Sequence, residues 1–227
     1  MSIENNSHLS AHPQNWRIDA SANPSFGILL AHGAGAGMDN AFMAAMAERL
    51  SALGVLVVRF EFDYMRIARQ TQKRRPPEAM AKLVQCFARH YQAVVAEYST
   101  IDWLIGGKSM GGRVAALSQP ELNSLGVVCL GYPFHPPKKP ESLRLEPLQA
   151  LVTPALVIQG SRDSLGNREE VEGYQREFGV PGNVSIRWLE DGDHDLKPRK
   201  RSGFNHDQHL DTAARWLVAF GEDQRLL

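Results

Sequence analysis

IDWLIGGKSMGG, residues 101–112, is the stretch that decides the fold. An apolar run, residues 101–106, passes without a linker into Gly107-Lys108-Ser109-Met110-Gly111-Gly112, and helix-forming residues follow to about Ser118. A short apolar run bounded by glycines reads as a buried strand. Ser109 therefore falls on a sharp turn between a strand and a helix. Such a turn strains the backbone at the serine and leaves no room for a Cβ at Gly107 or Gly111. The helix that follows points the positive end of its dipole at the serine hydroxyl, where it favours a developing anion. Gly-x-Ser-x-Gly alone is a weak pattern; its place after a strand gives it weight.

Outward from this turn the chain alternates between apolar runs and helical patterns. Towards the N-terminus, FGILLA (residues 26–31) ends in the glycine-rich HGAGAG (32–37). Asp39 is expected to cap a helix over 40–53, and VLVVRFEF (55–62) is a second β-rich run. A basic, proline-bearing loop is expected over 66–77, then a helix over 78–97. Towards the C-terminus come GVVCLG (126–131), a loop rich in proline and lysine (132–140), and ALVIQG (155–160). A helix at 167–178, the strand VSIRWL (184–189) and a helix over 205–220 complete the series. A short edge strand at 16–20 precedes it. Continuous apolar strands separated by helices mean a parallel sheet buried on both faces. The expectation is an α/β fold with a mostly parallel sheet of six to seven strands and helices on both faces. Residues 16–227 read as a single domain, with residues 1–15 as a flexible leader.

Two further residues fall where a reactive serine needs help. Asp163 lies just past ALVIQG, in GSRDSLG, and His194 just past VSIRWL, in EDGDHDL. Each follows the carboxyl end of a strand, the edge at which parallel sheets hold their sites. In the order Ser109, Asp163, His194, the histidine can take the serine proton while the carboxylate holds the imidazole tautomer. Asp191, Asp193 and Asp195 flank His194 and are assigned to a solvated turn. The loop His32-Gly33-Ala34-Gly35 leaves backbone N–H groups bare, and the amides of Ala34 and Met110 are the expected oxyanion donors. His32 is expected to hydrogen-bond within its own loop.

Composition narrows the classes. The 227 residues are 43% hydrophobic and 22% charged, a globular balance. Lys+Arg and Asp+Glu are 25 each, so the chain lacks the positive excess of a nucleic-acid binder. No apolar run is long enough to span a membrane, the N-terminus has no apolar signal region, and Cys86 and Cys129 form no disulfide framework. These features are expected of a cytoplasmic protein with neither nucleic-acid nor membrane partners. A P-loop would need glycine where Asp102 stands, a dinucleotide fingerprint glycine at Met38, and a calcium loop glycine at Leu196. His206 and His209 have no third ligand nearby, so no metal or cofactor is expected. Two basic stretches, residues 66–75 and 197–201, read either as solvated loop faces or as an anion-attracting rim.

The order of glycine loop, Gly-x-Ser-x-Gly, acid and histidine resembles the α/β-hydrolase superfamily from about Phe26 onward. In finer texture the chain is similar to a small dienelactone-hydrolase-like branch that includes testis-expressed and NSL-complex-subunit-like proteins. The segments that carry this are HGAGAGMDN, VVRFEFDYM, KRRPP, GGKSMGGR, GYPFHPP, QGSRDSLG and GDHDLKP. Serine stands where dienelactone hydrolases carry cysteine, and no long insertion separates GYPFHPP from LVTPALVIQG, so no large lid is expected. The resemblance implies a serine hydrolase acting on an ester-like bond of a small-molecule acyl substrate, anionic if the basic stretches form a rim. A non-catalytic interaction protein on the same scaffold and an acyltransferase are the alternatives. His32, Gly33, Gly35, Arg74, Arg75, Tyr132 and His135 are the expected substrate-contacting residues. Nothing in the sequence specifies an oligomeric state.

Overall fold

The computed structural model describes residues 15–179 and 181–226. The expected leader, residues 1–15, thus lies outside the described residues apart from Asn15. Among the described residues one sheet contains β1 (Arg17–Asp19), β2 (Phe26–Ala31), β3 (Val55–Phe60), β4 (Trp103–Lys108), β5 (Gly126–Leu130), β6 (Ala155–Gly160) and β7 (Val184–Leu189). Their spatial order is β1-β3-β2-β4-β5-β6-β7. Only β1 runs antiparallel to its neighbour, and a 2.8 Å ion pair between Arg59 and Asp19 pins this short edge strand to β3.

Seven helices are described: α1 (Ala41–Ala52), α2 (Asp63–Thr71), α3 (Met80–Glu97), α4 (Met110–Ser118), α5 (Glu146–Gln149), α6 (Arg168–Phe178) and α7 (His206–Arg225). Successive side chains of a strand point to opposite faces, and both faces are covered here. Phe26, Ile28 and Leu30 of β2 pack with Met43, Met46 and Leu50 of α1 and Leu210 and Leu217 of α7. Leu29 and Ala31 join the other layer, built from Leu83 and Phe87 of α3, Val114 of α4 and Val171 of α6. Fully burying a leucine or phenylalanine in this way contributes roughly 1.5–3 kcal/mol, so the continuous apolar runs follow from the two-sided burial.

The connections diverge at β2 and β4. From β2 the chain leaves to α1 on one face, and from β4 it leaves to α4 on the other. A crevice opens at such a switch point, outside the carboxyl ends of the strands. Ala31 lies opposite Gly107 in the register, so the loop after β2 and the serine after β4 emerge side by side. Residues 131–154, which join β5 to β6, contain α5 as their only helix.

Several local expectations are corrected. The segment read as a basic loop over 66–77 is helical as far as Thr71, and only residues 72–79 are irregular. Gln72, with φ of 54°, ends α2 in the left-handed region. The cap of α1 is Asn40, whose side chain accepts from the Met43 N–H at 3.2 Å. Asp39 cannot cap because both its oxygens are taken by Arg69 at 2.8 Å. β3 stops at Phe60, since Phe62 already stands at the start of α2. β4 extends to Lys108, which puts that side chain inside the sheet.

Candidate active site

Ser109 follows β4 directly and precedes α4, with φ 53° and ψ −116°. A non-glycine residue held there costs roughly 1–3 kcal/mol and persists only where its surroundings over-determine it. Here the Ser109 N–H donates to Leu130 O at 3.0 Å and its carbonyl accepts from Arg113 N–H at 3.1 Å. A Cβ on Gly107 would come within 2.6 Å of the Ala31 carbonyl oxygen, and one on Gly111 within 2.4 Å of the same atom. Both glycines are therefore required by close approach of β2 to the turn.

Loops after β6 and β7 bring two partners to this serine. His194 Nε2 lies 2.8 Å from Ser109 Oγ, and His194 Nδ1 lies 2.8 Å from Asp163 Oδ2. The carboxylate draws the imidazole proton to Nδ1, leaving Nε2 to accept from the serine hydroxyl. Asp163 is fully buried, whereas the His194 side chain keeps 27% of its surface exposed. Carboxylate and imidazole are thus segregated by solvent access. Asp163 also accepts from the Leu165 N–H at 2.8 Å and from Gln159 Nε2 at 2.9 Å. Gln159, fully buried in β6, turns its Oε1 to the Tyr132 N–H at 2.7 Å.

The loop after β2 is held just as tightly. His32 Nε2 accepts from the Phe62 N–H at 3.2 Å, so Nδ1 carries the proton and donates to Gly33 O at 2.7 Å. Burial pushes the His32 imidazolium down in pKa, in keeping with this neutral form. Tyr64 of α2 donates its hydroxyl to Ala34 O at 3.1 Å. A trans peptide points its C=O and N–H in opposite directions. With the Gly33 carbonyl turned toward His32, the Ala34 N–H faces away from it. Gly33 itself abuts the turn at Ser109, its ideal Cβ position lying 3.7 Å from Ser109 Cβ. Met110 begins α4, whose first N–H groups have no intrahelical acceptor.

Lys108, one residue before the serine, is almost fully buried. Its Nζ donates to His194 O at 2.8 Å, lies 3.3 Å from Asp195 Oδ1 and sits 5.4 Å from the Phe42 ring centroid. Burial pulls its pKa down, and Asp195 and Asp163 oppose that. Of the turn expected to be solvated around His194, Asp195 is exposed and Asp193 half-buried, whereas Asp191 is buried. Asp193 accepts from the N–H groups of Asp195 and Lys197 at 2.9 and 3.0 Å. Asp191 is buried between Arg199 and Arg162, and hydrogen bonds from Arg199 hold its carboxyl well below the usual range.

The expected substrate contacts separate into two groups. Gly35, Arg74 and Arg75 line one 810 Å³ cleft beside the loop after β2, together with the expected oxyanion donor Ala34. His32, Tyr132 and His135 are instead buried, with their polar atoms turned into the fold. Tyr132 Oη donates to Arg144 O at 2.8 Å, and His135 Nδ1 lies 2.9 Å from Pro136 O. Sequence reasoning missed Gln159, Tyr64 and the burial of Lys108. Burial pushes the thiols of Cys86 and Cys129 up to about 11 and about 12, so neither is a thiolate at neutral pH. Among the described residues no helix is long and apolar enough to cross a membrane.

A family model described as an alpha/beta hydrolase domain matches residues 24–222. Solved structures of the same fold include an alpha/beta serine hydrolase without lid from Xanthomonas campestris. It is 17% identical with a TM-score of 0.66, over 90% of this chain and 91% of that one. An alpha-beta serine hydrolase homologue from Coxiella burnetii is 17% identical with a TM-score of 0.68, over 96% and 98%. Dienelactone hydrolase from Anabaena variabilis is 16% identical with a TM-score of 0.66, over 93% and 94%.

Proposed function

Because the chain belongs to the alpha/beta hydrolase domain family, we propose that it is a serine hydrolase cleaving an ester-like bond of a small-molecule acyl substrate. The observation that carries this is the unbroken chain of hydrogen bonds from Ser109 through His194 to buried Asp163. His194 Nε2 takes the Ser109 proton as Oγ bonds to the substrate carbonyl carbon. The resulting oxyanion is received by the N–H groups of Ala34 and Met110, with the positive end of α4 behind the latter. Collapse breaks the bond to the leaving alcohol, which collects the proton from His194 and departs. Water then gives a proton to Nε2 and attacks the acyl-serine; the bond to Oγ breaks, Ser109 takes the proton back from His194, and the acid is released. Asp163 stabilises the imidazolium through its hydrogen bond to Nδ1. Residues 16–227 act in this as one domain. The segments HGAGAGMDN and GDHDLKP support the finer placement with the testis-expressed and NSL-complex-subunit-like proteins.

Labelling with a fluorophosphonate probe tests the proposal. Ser109 should be the single residue modified. Ser109→Ala should lose the label and lower kcat for 4-nitrophenyl acetate by about 10⁴-fold or more while the protein stays folded. An alanine variant as active as its parent would sink the assignment.

A further inference from the structure

Both basic stretches lose cations to ion pairs on folding, and they differ in what the remaining cations line. Arg69 gives both terminal nitrogens to Asp39 at 2.8 Å and its Nε to Glu61 at 3.1 Å. Arg66 lies 3.5 Å from Asp63, and Arg199 is bound to Asp191. Lys73, Arg74 and Arg75 are left as three consecutive exposed cations that pair with no carboxylate among the described residues. Like charges held adjacent repel, and folding does nothing here to relieve them. The last of them is also restrained, because Arg75 precedes Pro76 and is biased to an extended conformation.

All three line the 810 Å³ cleft whose other walls are Met65 and Ala68 of α2 and Ala34 of the loop after β2. A volume in the range of roughly 300–1,000 Å³ suits a small molecule. The cleft thus joins cations to apolar side chains, and Ala34 in its lining is bonded to Gly33, which abuts Ser109. We propose that this cleft holds the remote end of the substrate, and that the substrate class is an acyl ester whose acyl chain ends in a carboxylate. The apolar side chains take the methylene chain and Lys73, Arg74 and Arg75 take the anion. This rests on the serine-hydrolase assignment for the chemical step but not for binding. The net charge is zero, so the preference is local to the cleft and not a property of the whole surface.

The test compares the 4-nitrophenyl monoester of suberic acid with its methyl-capped neutral counterpart at low ionic strength. The carboxylate ester should have a kcat/KM about tenfold higher, an advantage gained in capture. It should shrink as added salt shortens the Debye length from about 10 Å at 0.1 M towards about 3 Å at 1 M. Arg74→Gln with Arg75→Gln should bring the ratio close to one. Lys200→Gln with Arg201→Gln, outside the cleft, should keep it. Equal kcat/KM for the two esters, or a preference that survives loss of Arg74 and Arg75, overturns the proposal. Calorimetry of suberate monoamide with Ser109→Ala reads the cleft without turnover. Binding that disappears with Arg74→Gln and Arg75→Gln supports it, and no binding overturns it. Failure of both esters to react, with calorimetric binding intact, would count against the serine-hydrolase assignment alone.

Discussion

Asp163 is fully buried and accepts three hydrogen bonds, from Leu165, Gln159 and His194. An asparagine there would turn an N–H₂ group toward one of these donors. Placed at Oδ1 it faces the Leu165 N–H; placed at Oδ2 it takes the acceptor from both the Gln159 amide and the His194 Nδ1–H, which share that atom, and the imidazole is then free to carry its proton on Nε2, facing the serine. Asp163→Asn is accordingly expected to lower kcat by about 10³–10⁴-fold with the far-ultraviolet circular dichroism unchanged. Asp193→Asn retains a carbonyl oxygen for the N–H groups of Asp195 and Lys197, and should keep most of the activity. A crippled Asp193→Asn beside a healthy Asp163→Asn would show that the wrong carboxylate has been named. Ser109, Asp163 and His194 could be found in sequence because each follows a recognisable strand. Gln159 and Lys108 could not. A polar residue at the end of an apolar run reads equally well as outward-facing, and only three-dimensional neighbours reveal that it is buried.

At the scale of elements, α2 does most to hold the loop after β2. Its Tyr64 is buried against His32 and Phe62 and donates to Ala34 O. Tyr64→Phe keeps the ring contacts and removes only the hydroxyl, which frees the Ala34 carbonyl and the Gly33 carbonyl, 3.4 Å from the hydroxyl, whose peptide carries the Ala34 N–H. The expected result is a fall in kcat of roughly three- to tenfold with KM for a neutral ester unchanged, and a stability loss of no more than about 1.5 kcal/mol. A change in KM alone would place Tyr64 in substrate binding instead. The strands were legible because both faces are buried, leaving runs such as FGILLA and VLVV with no polar interruption. α2 was not. DYMRIARQT buries a single residue, Tyr64, and no side chain caps its N-terminus, so its composition reads as a basic loop. The neutralisation of Arg69 was equally hidden, since Asp39 and Glu61 lie outside any local window around it.

Across the whole molecule, burial of neutral histidines ties stability to acidity. His90 accepts from Trp16 Nε1–H at 2.9 Å through Nδ1 and stacks on Phe60 at 4.3 Å. Burial pushes its pKa from 6.5 down to about 4. The unfolded chain therefore binds this proton between those values while the folded chain does not. The stability that His90 contributes is complete above pH 6.5 and is lost as pH falls toward 4, to the extent of about 3 kcal/mol. His32 acts in the same direction. Urea midpoints should fall between pH 7 and pH 4.5, and His90→Phe should flatten that dependence; an unchanged slope would exclude His90 as a source. The same architecture has a consequence in time. Ser109 precedes His194 by 85 residues, and β2, β4 and β5, which support the serine turn, all precede β6 and β7 in the chain. A ribosome delivers the N-terminal part first. With the roles proposed for these residues, a chain halted before β7 has its nucleophile and no base to activate it. The growing polypeptide stays chemically silent in a cell full of acyl compounds, and reactivity waits on the segment that follows β7.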